Sequence, residues 1–448
     1  MVAFIHHACH DGGMSTTPDA VVVGAGVIGC GIALELARSG RSVLVVDRAD
    51  APGRGSTGAS SAIVRYHYDH LPESALAWEA GLRWMEWERY LGVRDPTGMA
   101  NFVRVGALVL EGPLMDCVTP LEHLRRLGIP FDELDAAAVR ARFPLVDPAH
   151  LSPATTVDDE HFWAEPSGEI GGFWVPDAGY VDDPQLAASN LAHAAVTAGA
   201  TFAYGTEVVE VTTAGGRVSG LDVRSRSGEV RHIATPVVVN AAGPWSVELN
   251  RLADVLADFN TSTRPLMQEV VSVPVPAGFG AAEGGTCVTD ADFATYFRCH
   301  GQHSVIVGGM EPPCDPLVYL ESADDAPTTV SAATWELQTL RLARRLRDVG
   351  IPSQPQGIVG VYDVTDDWIP IYDRTVLDGW YVAIGTSGHG FKQAPFVGDL
   401  LRALIDACEA GHDHDRDPVQ VLAPWSGTTV DLGHFSRRRH VVPQYGMG

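Results

Sequence analysis

Residues 20–47 read AVVVGAGVIGCGIALELARSGRSVLVVD, and this stretch decides the fold. A short apolar run, Ala20 to Val23, enters Gly24-Ala25-Gly26-Val27-Ile28-Gly29. Behind the glycines Ile28, Ile32 and Leu36 recur at helical spacing, with small Ala33 and Ala37 between them, up to Ser39-Gly40. The run 42–46 then has the continuous apolar character of a buried parallel strand, and Asp47 closes it. Strand, helix and strand form one βαβ unit. In such a unit the first glycine permits the tight turn, the second lets backbone approach a pyrophosphate, and the third allows close helix–strand packing. The helix start offers free N–H groups and a partial positive charge to the phosphates. Asp47 stands where a carboxylate binds ribose hydroxyls, and an acid at that place disfavours a 2′-phosphate, which excludes NADP as the ligand of this loop.

Around this unit the chain is an ordinary globular protein. Its 448 residues predict two or three structural units, and 46% hydrophobic with 19% charged residues is not a disordered composition. Lys and Arg total 31 against 56 Asp and Glu, a formal charge of −25. That field repels nucleic acid and anionic membrane, so neither is expected as a partner. An anionic substrate would need its own local cations. The seven cysteines are scattered, odd in number and without a CxxC pair, which argues against a disulfide framework and a thiolate metal site; no metal is expected. No apolar run reaches the ~18 residues of a spanning helix. The opening MVAFIHHACHDGG lacks a basic n-region, so residues 1–17 are expected to be a mobile extension and the chain to be cytoplasmic.

Further elements follow from periodicity. Helices are expected at 72–91, 120–127, 136–142, 184–198, 332–349 and 395–410, and strands at 101–110, 173–175, 201–203, 207–212, 217–224, 236–240, 266–275, 294–307 and 380–384. Gly215-Gly216 reads as a hairpin turn. The charged segment 412–417 and the basic run Arg437-Arg438-Arg439 read as solvated surface.

Five segments, in order, carry a resemblance: VVVGAGVIGCGIALELARSGRSVLVVDR, GSTGASSAIVR, VVVNAAGPWS, YDVTDDWIPIYD and GTSGHGFKQAP. Together they resemble the D-amino-acid oxidase-like family of FAD enzymes, nearest its sarcosine oxidase, dimethylglycine dehydrogenase and glycine oxidase members. The resemblance implies an α/β fold, α+β overall. A Rossmann-like FAD-binding domain (18–95, 176–262 and 352–425) would join a discontinuous substrate domain (96–175 and 263–351) built on a large mixed or antiparallel sheet, with a tail at 426–448. It implies FAD contacts from Gly24, Gly26, Val27, Ile28, Gly29, Asp47 and Arg48; from Ser56, Thr57, Ser60 and Ser61; from Val208, Ala242, Gly243 and Trp245; and from Gly360, Gly388, His389, Gly390, Phe391 and Lys392. Small residues suit a backbone pressed against a flat ring, and a helix start beside the flavin pyrimidine stabilises charge on the reduced ring.

By the same resemblance Arg65 and Lys392 carry the cations that hold a substrate carboxylate, the guanidinium bidentately and the ammonium as a point charge. His389, beside the ring, would tune the flavin or touch substrate. If the chain after Arg65 is extended, His67 shares its face, and Tyr296, Phe297 and Arg298 would form pocket walls. Where sarcosine oxidase has a flavin-linking cysteine this chain has Gly360, and the early loop lacks the linking histidine of related dehydrogenases, so FAD is expected to be non-covalent. Where that enzyme places an oxygen-promoting lysine the strand 303–309 reads HSVIVGG, with Ile306 near that place and Met310 where a histidine stands. The implied reaction is oxidation of a C–H bond next to nitrogen in a secondary or N-substituted amino acid, by hydride transfer to flavin N5. The imine then hydrolyses or is passed on, with oxygen or another acceptor taking the electrons. A D-amino-acid or glycine oxidase, a biosynthetic tailoring oxidase, a flavin hydroxylase and an FAD-binding subunit of a heteromeric complex are the alternatives, and a homo-oligomer is possible.

Overall fold

The computed structural model describes residues 17–443. The expected extension 1–17 lies almost wholly outside them. A six-stranded sheet runs in the order Ile371–Arg374, Trp380–Ile384, Val238–Asn240, Ala20–Val23, Val43–Asp47 and Thr201–Tyr204. Every pair is parallel except the edge pair of Ile371–Arg374 with Trp380–Ile384. Its central strands are apolar on both faces because both are covered. Val22, Val43 and Val45 pack toward helices Val27–Arg38, Pro184–Thr197 and Gly390–Glu409. Val21, Val23, Leu44 and Val46 pack on the meander Thr206–Ala214, Arg217–Ser225 and Val230–Ala234.

The helices cross at backbone contact. A Cβ on Gly398 would lie 2.4 Å from the Gly31 carbonyl oxygen, so only glycines allow this approach. The second layer is an eight-stranded sheet, Gly357–Thr365, Thr263–Pro274, Ser304–Gly309, Thr295–His300, Cys287–Asp290, Ala107–Leu110, Gly172–Val175 and Asp132–Leu134. It is antiparallel save for Cys287–Asp290 beside Ala107–Leu110.

Several expectations are corrected. The helix expected at 72–91 is two, Leu71–Met85 and Trp87–Leu91, bent at Glu86; the bend accompanies a stack of Trp87 on Trp84 at 4.2 Å. The strand expected at 101–110 divides at Gly106, whose φ of +73° turns the chain from a small sheet into the large one. The strand expected at 294–307 is a hairpin turning at Gly301. The last long helix begins at Gly390, not 395, and holds Pro395 inside it. Gly357–Thr365 pairs with Thr263–Pro274, so the boundary drawn at 352 falls too early and this strand belongs to the large sheet.

The segment 426–448 is not a tail as far as it is described. Leu432 and Phe435 are in the main core. Arg437, expected in solvent, is fully buried and pairs with Asp373, Asp415 and Asp258, while Arg439 pairs with Asp367. His414, within the segment 412–417, is buried 3.3 Å from Asp373. The uncompensated charge pattern of each segment hides the fact that they neutralise one another.

Candidate functional site

The glycine loop is built by backbone crowding. Gly24 has φ +110°, and a Cβ on Gly29 would lie 1.9 Å from the Gly24 carbonyl oxygen, so the helix start is pressed onto the strand end. Gly26 is the N-cap of Val27–Arg38, with no capping side chain and no acid in the first turn. The loop is held from outside. The Thr57 hydroxyl accepts from Val27 N at 3.1 Å, and the Asp47 carboxylate accepts from Ala25 N at 2.6 Å and Ala49 N at 2.7 Å. Asp47 is therefore oriented and keeps acceptor capacity for a ribose.

Gly24, Gly26, Val27, Ile28, Asp47, Arg48, Ser56, Thr57, Ser60, Val208, Ala242, Gly243, Trp245, Gly388, Gly390 and Phe391 all line one cleft of about 770 Å³. That volume is within the ~300–1,000 Å³ of ligand and cofactor sites. The uncapped helix start, the oriented acid and the cleft's size fit a dinucleotide. Gly29 and Gly360 do not line it; the first packs against Gly24, and the second sits against Ala59. Ser61 and Lys392 line a second, smaller cavity of about 70 Å³ instead. Ser60, Tyr362, Gly388 and Phe391 are common to both, so the two spaces share walls.

The small cavity brings Arg65 and Lys392 together with Ser61, Tyr296 and Met310. Both cations are buried, at 8% and 6% exposure. The Arg65 guanidinium lies 4.5 Å over the Tyr68 ring, and Lys392 Nζ is 5.9 Å from the same ring. Arg65 also donates to the His67 carbonyl at 2.5 Å, and Lys392 Nζ to the Gly388 carbonyl at 3.3 Å. Burial, and then the guanidinium beside it, push the Lys392 amine well below its usual value, with Glu73 partly opposing. A second positive charge beside the guanidinium in a dry site is unfavourable, and an anion between the two groups relieves this.

The Tyr296 hydroxyl is 3.0 Å from the Ser61 hydroxyl. Phe297 is in the core, and Arg298 is buried on the Tyr180 ring, donating to the Ser61 carbonyl at 2.8 Å, so neither is a cavity wall. Ile306 does not reach the cavity.

Two histidines are not where the sequence put them. His67 is not among the residues lining the cavity and packs edge-on to Phe173 at 5.5 Å. Burial, with Arg65 and Lys392 adding to it, keeps it neutral. His389 lines neither space. It turns toward Glu73, 3.4 Å away, with Tyr68 edge-on at 5.0 Å, and burial pushes it down to about 4.

Residues that sequence reasoning missed come from distant segments. Asp324 pairs with Arg48 at the far end of the cleft and accepts from Trp245 Nε1 at 3.1 Å, while Arg48 lies 4.3 Å over the Trp245 ring. Met115 and Thr289 close the small cavity. Asp363, in the cleft, accepts from the Thr386 hydroxyl at 2.8 Å. Asp363, Thr386 and Tyr362 stood in segments already singled out. Asp324, Met115 and Thr289 carried no local signal.

No group of three metal-ligating side chains is found among the described residues, nor any helix long and apolar enough to cross a membrane. The mouse peroxisomal sarcosine oxidase is 27% identical over 404 residues, covering 86% of this chain and 91% of that one. The crystal structure of L-proline dehydrogenase from P. horikoshii superposes with a TM-score of 0.72 at 20% identity, over 94% of this chain and 97% of that one. Glycine oxidase from Geobacillus kaustophilus gives 0.69 at 22% identity, over 95% and 100%. Residues 19–404 match the DAO family, described as FAD dependent oxidoreductase, and the chain belongs to that family of FAD flavoproteins.

Proposed function

We propose that the protein oxidises a small carboxylate-bearing amine, a secondary or N-substituted amino acid, at the carbon next to nitrogen. The observation that carries this is the small cavity in which Arg65 and Lys392 meet, sharing Ser60, Tyr362, Gly388 and Phe391 with the dinucleotide cleft. A size of about 70 Å³ favours a compact substrate. Its carboxylate lies against Arg65 and Lys392, and Ser61 with Tyr296 bounds the rest. Burial of both cations strengthens their pull on the carboxylate, because little water screens it.

FAD would occupy the large cleft, where Gly24, Gly26 and the start of Val27–Arg38 would hold its pyrophosphate, Asp47 its ribose, and Ser60, Gly388 and Gly390 its ring. When bound it supplies the two-electron acceptor, and the chain supplies orientation and electrostatics. The start of Gly390–Glu409 lies at the cleft wall, where its positive end would favour charge on the reduced ring. No cysteine or histidine is among the cleft's described lining residues, which supports non-covalent attachment. Lys392 is the only lysine of the chain, so oxygen, if it is the acceptor, would react without a second lysine to promote it. The described cysteines are all free thiols, in keeping with a reducing cytoplasm.

The test is an anaerobic screen in which sarcosine, proline, glycine, D-alanine and the corresponding amines without a carboxylate are mixed with the holoenzyme. Bleaching of the flavin by a carboxylate-bearing amine alone is expected. Bleaching by the carboxylate-free amines at equal concentration defeats the reading.

A further inference from the structure

A flavin accepts hydride from an amino acid only when the nitrogen lone pair is free, yet such a substrate arrives in neutral water as a zwitterion with a protonated nitrogen. A group in the site that takes that proton spares the enzyme from waiting for the scarce neutral-amine form. No histidine is among the described residues that line the cavity. His67 packs on Phe173, His389 faces Glu73, and His434 lies on the far side of Glu73, 3.8 Å from it. Tyr296 and Tyr362 line the cavity, but burial raises both, so neither ionises to act as a base.

We propose that Lys392 is the proton acceptor, and that one transfer, from the substrate ammonium to Nζ, both frees the amine lone pair and creates the second cation of the carboxylate clamp. This rests on the reading that the carboxylate binds at Arg65. The substrate N–H bond breaks and an Nζ–H bond forms; no other atom moves, and the net charge of the pair is unchanged.

The environment of Nζ supports it from every side. Arg65 and Tyr68 face it from the segment after Ile63–Val64, and Glu73 from helix Leu71–Met85. His67 and His389 are both neutral. Tyr296 and Tyr362 complete the cavity, and Glu311 is buried near those two hydroxyls. Nζ has the Gly388 carbonyl at 3.3 Å and no carboxylate at ion-pair distance among the described residues. Burial and the guanidinium therefore favour the neutral amine while the cavity is empty of anion. An arriving carboxylate reverses that preference, because its charge stabilises the ammonium at close range. The base is thus armed before the substrate enters and becomes a cation only once it has done its work. An arginine could hold a carboxylate as well but could not take a proton. Lysine at this one place, in a chain whose other basic residues in the count of 31 are all arginine, is what the transfer needs.

The experiment binds methoxyacetate, a carboxylate of similar size with an ether oxygen for the amine, to holoenzyme in weakly buffered indicator solution near neutral pH. Binding is followed by the flavin spectrum. With no ammonium to supply it, the proton comes from solvent, and uptake of about one proton per site is expected. Lys392→Arg, which keeps the cation, should bind methoxyacetate without uptake. In that variant the anaerobic bleaching rate, with whichever of sarcosine, proline or glycine reduces the wild type, should fall at least tenfold at neutral pH and recover as pH rises toward the amine's own pKa. The wild-type measurement stands alone if the variant does not fold. Binding without proton uptake overturns the proposal and leaves the clamp intact, as does a Lys392→Arg bleaching profile matching the wild type. Failure of methoxyacetate to bind at all removes the clamp reading, and the proposal with it.

Discussion

Gly26→Ala and Gly29→Ala separate cofactor binding from folding, though the two glycines stand three residues apart. A Cβ on Gly29 lies 1.9 Å from the Gly24 carbonyl oxygen and 3.4 Å from a methyl of Val22. The first is backbone and cannot swing away, so the helix must slide off the strand by more than an ångström. Overpacking of that kind costs about 3 kcal/mol. A Cβ on Gly26 meets nothing closer than the Thr57 hydroxyl at 3.3 Å, and the residue's φ of −69° suits alanine. Its methyl instead projects at the cleft, where a pyrophosphate would press against the loop.

The unfolding entropy of 448 residues, roughly 0.9 kcal/mol/K in total at ~2.1 cal/mol/K each, converts 3 kcal/mol into about 3 °C. Flavin-stripped Gly29→Ala should therefore melt about 3 °C below wild type, followed by far-UV circular dichroism. Gly26→Ala should melt within about 1 °C but bind FAD roughly a hundredfold more weakly, a loss of ~2.7 kcal/mol, read from recovery of free FAD fluorescence on dilution. A Gly26→Ala protein that holds FAD as tightly as wild type would refute the placement of the pyrophosphate. A Gly29→Ala protein that melts like wild type would refute the crowding argument.

If the proposed clamp holds, Arg65→Ala removes charge-assisted hydrogen bonds to the substrate carboxylate, about 3–4 kcal/mol. It should raise KM for carboxylate substrates roughly a hundredfold or more while kcat changes less, and steady-state kinetics with an unchanged KM would sink the clamp. His389 should make the fold acid-sensitive. Its pKa is near 6.5 unfolded and about 4 folded, so between those values the unfolded chain binds the proton and stability falls as pH drops. The loss reaches roughly 3 kcal/mol; His389→Asn should flatten the change in urea midpoint over that window, and an equally steep slope in the variant would refute it. Arg437→Met leaves Asp373, Asp415 and Asp258 without their shared cation. A cost of about 3–5 kcal/mol is expected in urea unfolding, against no measurable change if the segment were solvated. Acid precipitation should leave the yellow flavin in the supernatant; colour retained in the pellet would show a covalent bond.

How much of this was legible in advance depends on the range of the forces involved. The βαβ unit was legible because turn sterics, strand hydrophobicity and helix periodicity act within about thirty residues, and residues 20–47 contain all of them. Gly301 and Gly106 were harder. Each sits inside an apolar alternation that reads as one strand, and only the partner strands show that the chain turns there. Pro395 suggested a helix start, yet five residues of helix precede it, stabilised by packing against Val27–Arg38 that no local propensity encodes.

At the site the same division holds. By itself the sequence determined the dinucleotide loop and the acid Asp47, because both belong to a short motif whose chemistry its own neighbours specify, while Arg65 and Lys392 were singled out by the resemblance that their segments carry. Only the tertiary structure decided that these cations share the Tyr68 ring in one buried cavity, that His67 and His389 turn away from it, and that Asp324, Met115 and Thr289 finish its walls and those of the cleft. Burial and through-space charge set those outcomes. Both depend on what the folded chain brings within a few ångströms, from segments hundreds of residues apart, and no local pattern carries that distance.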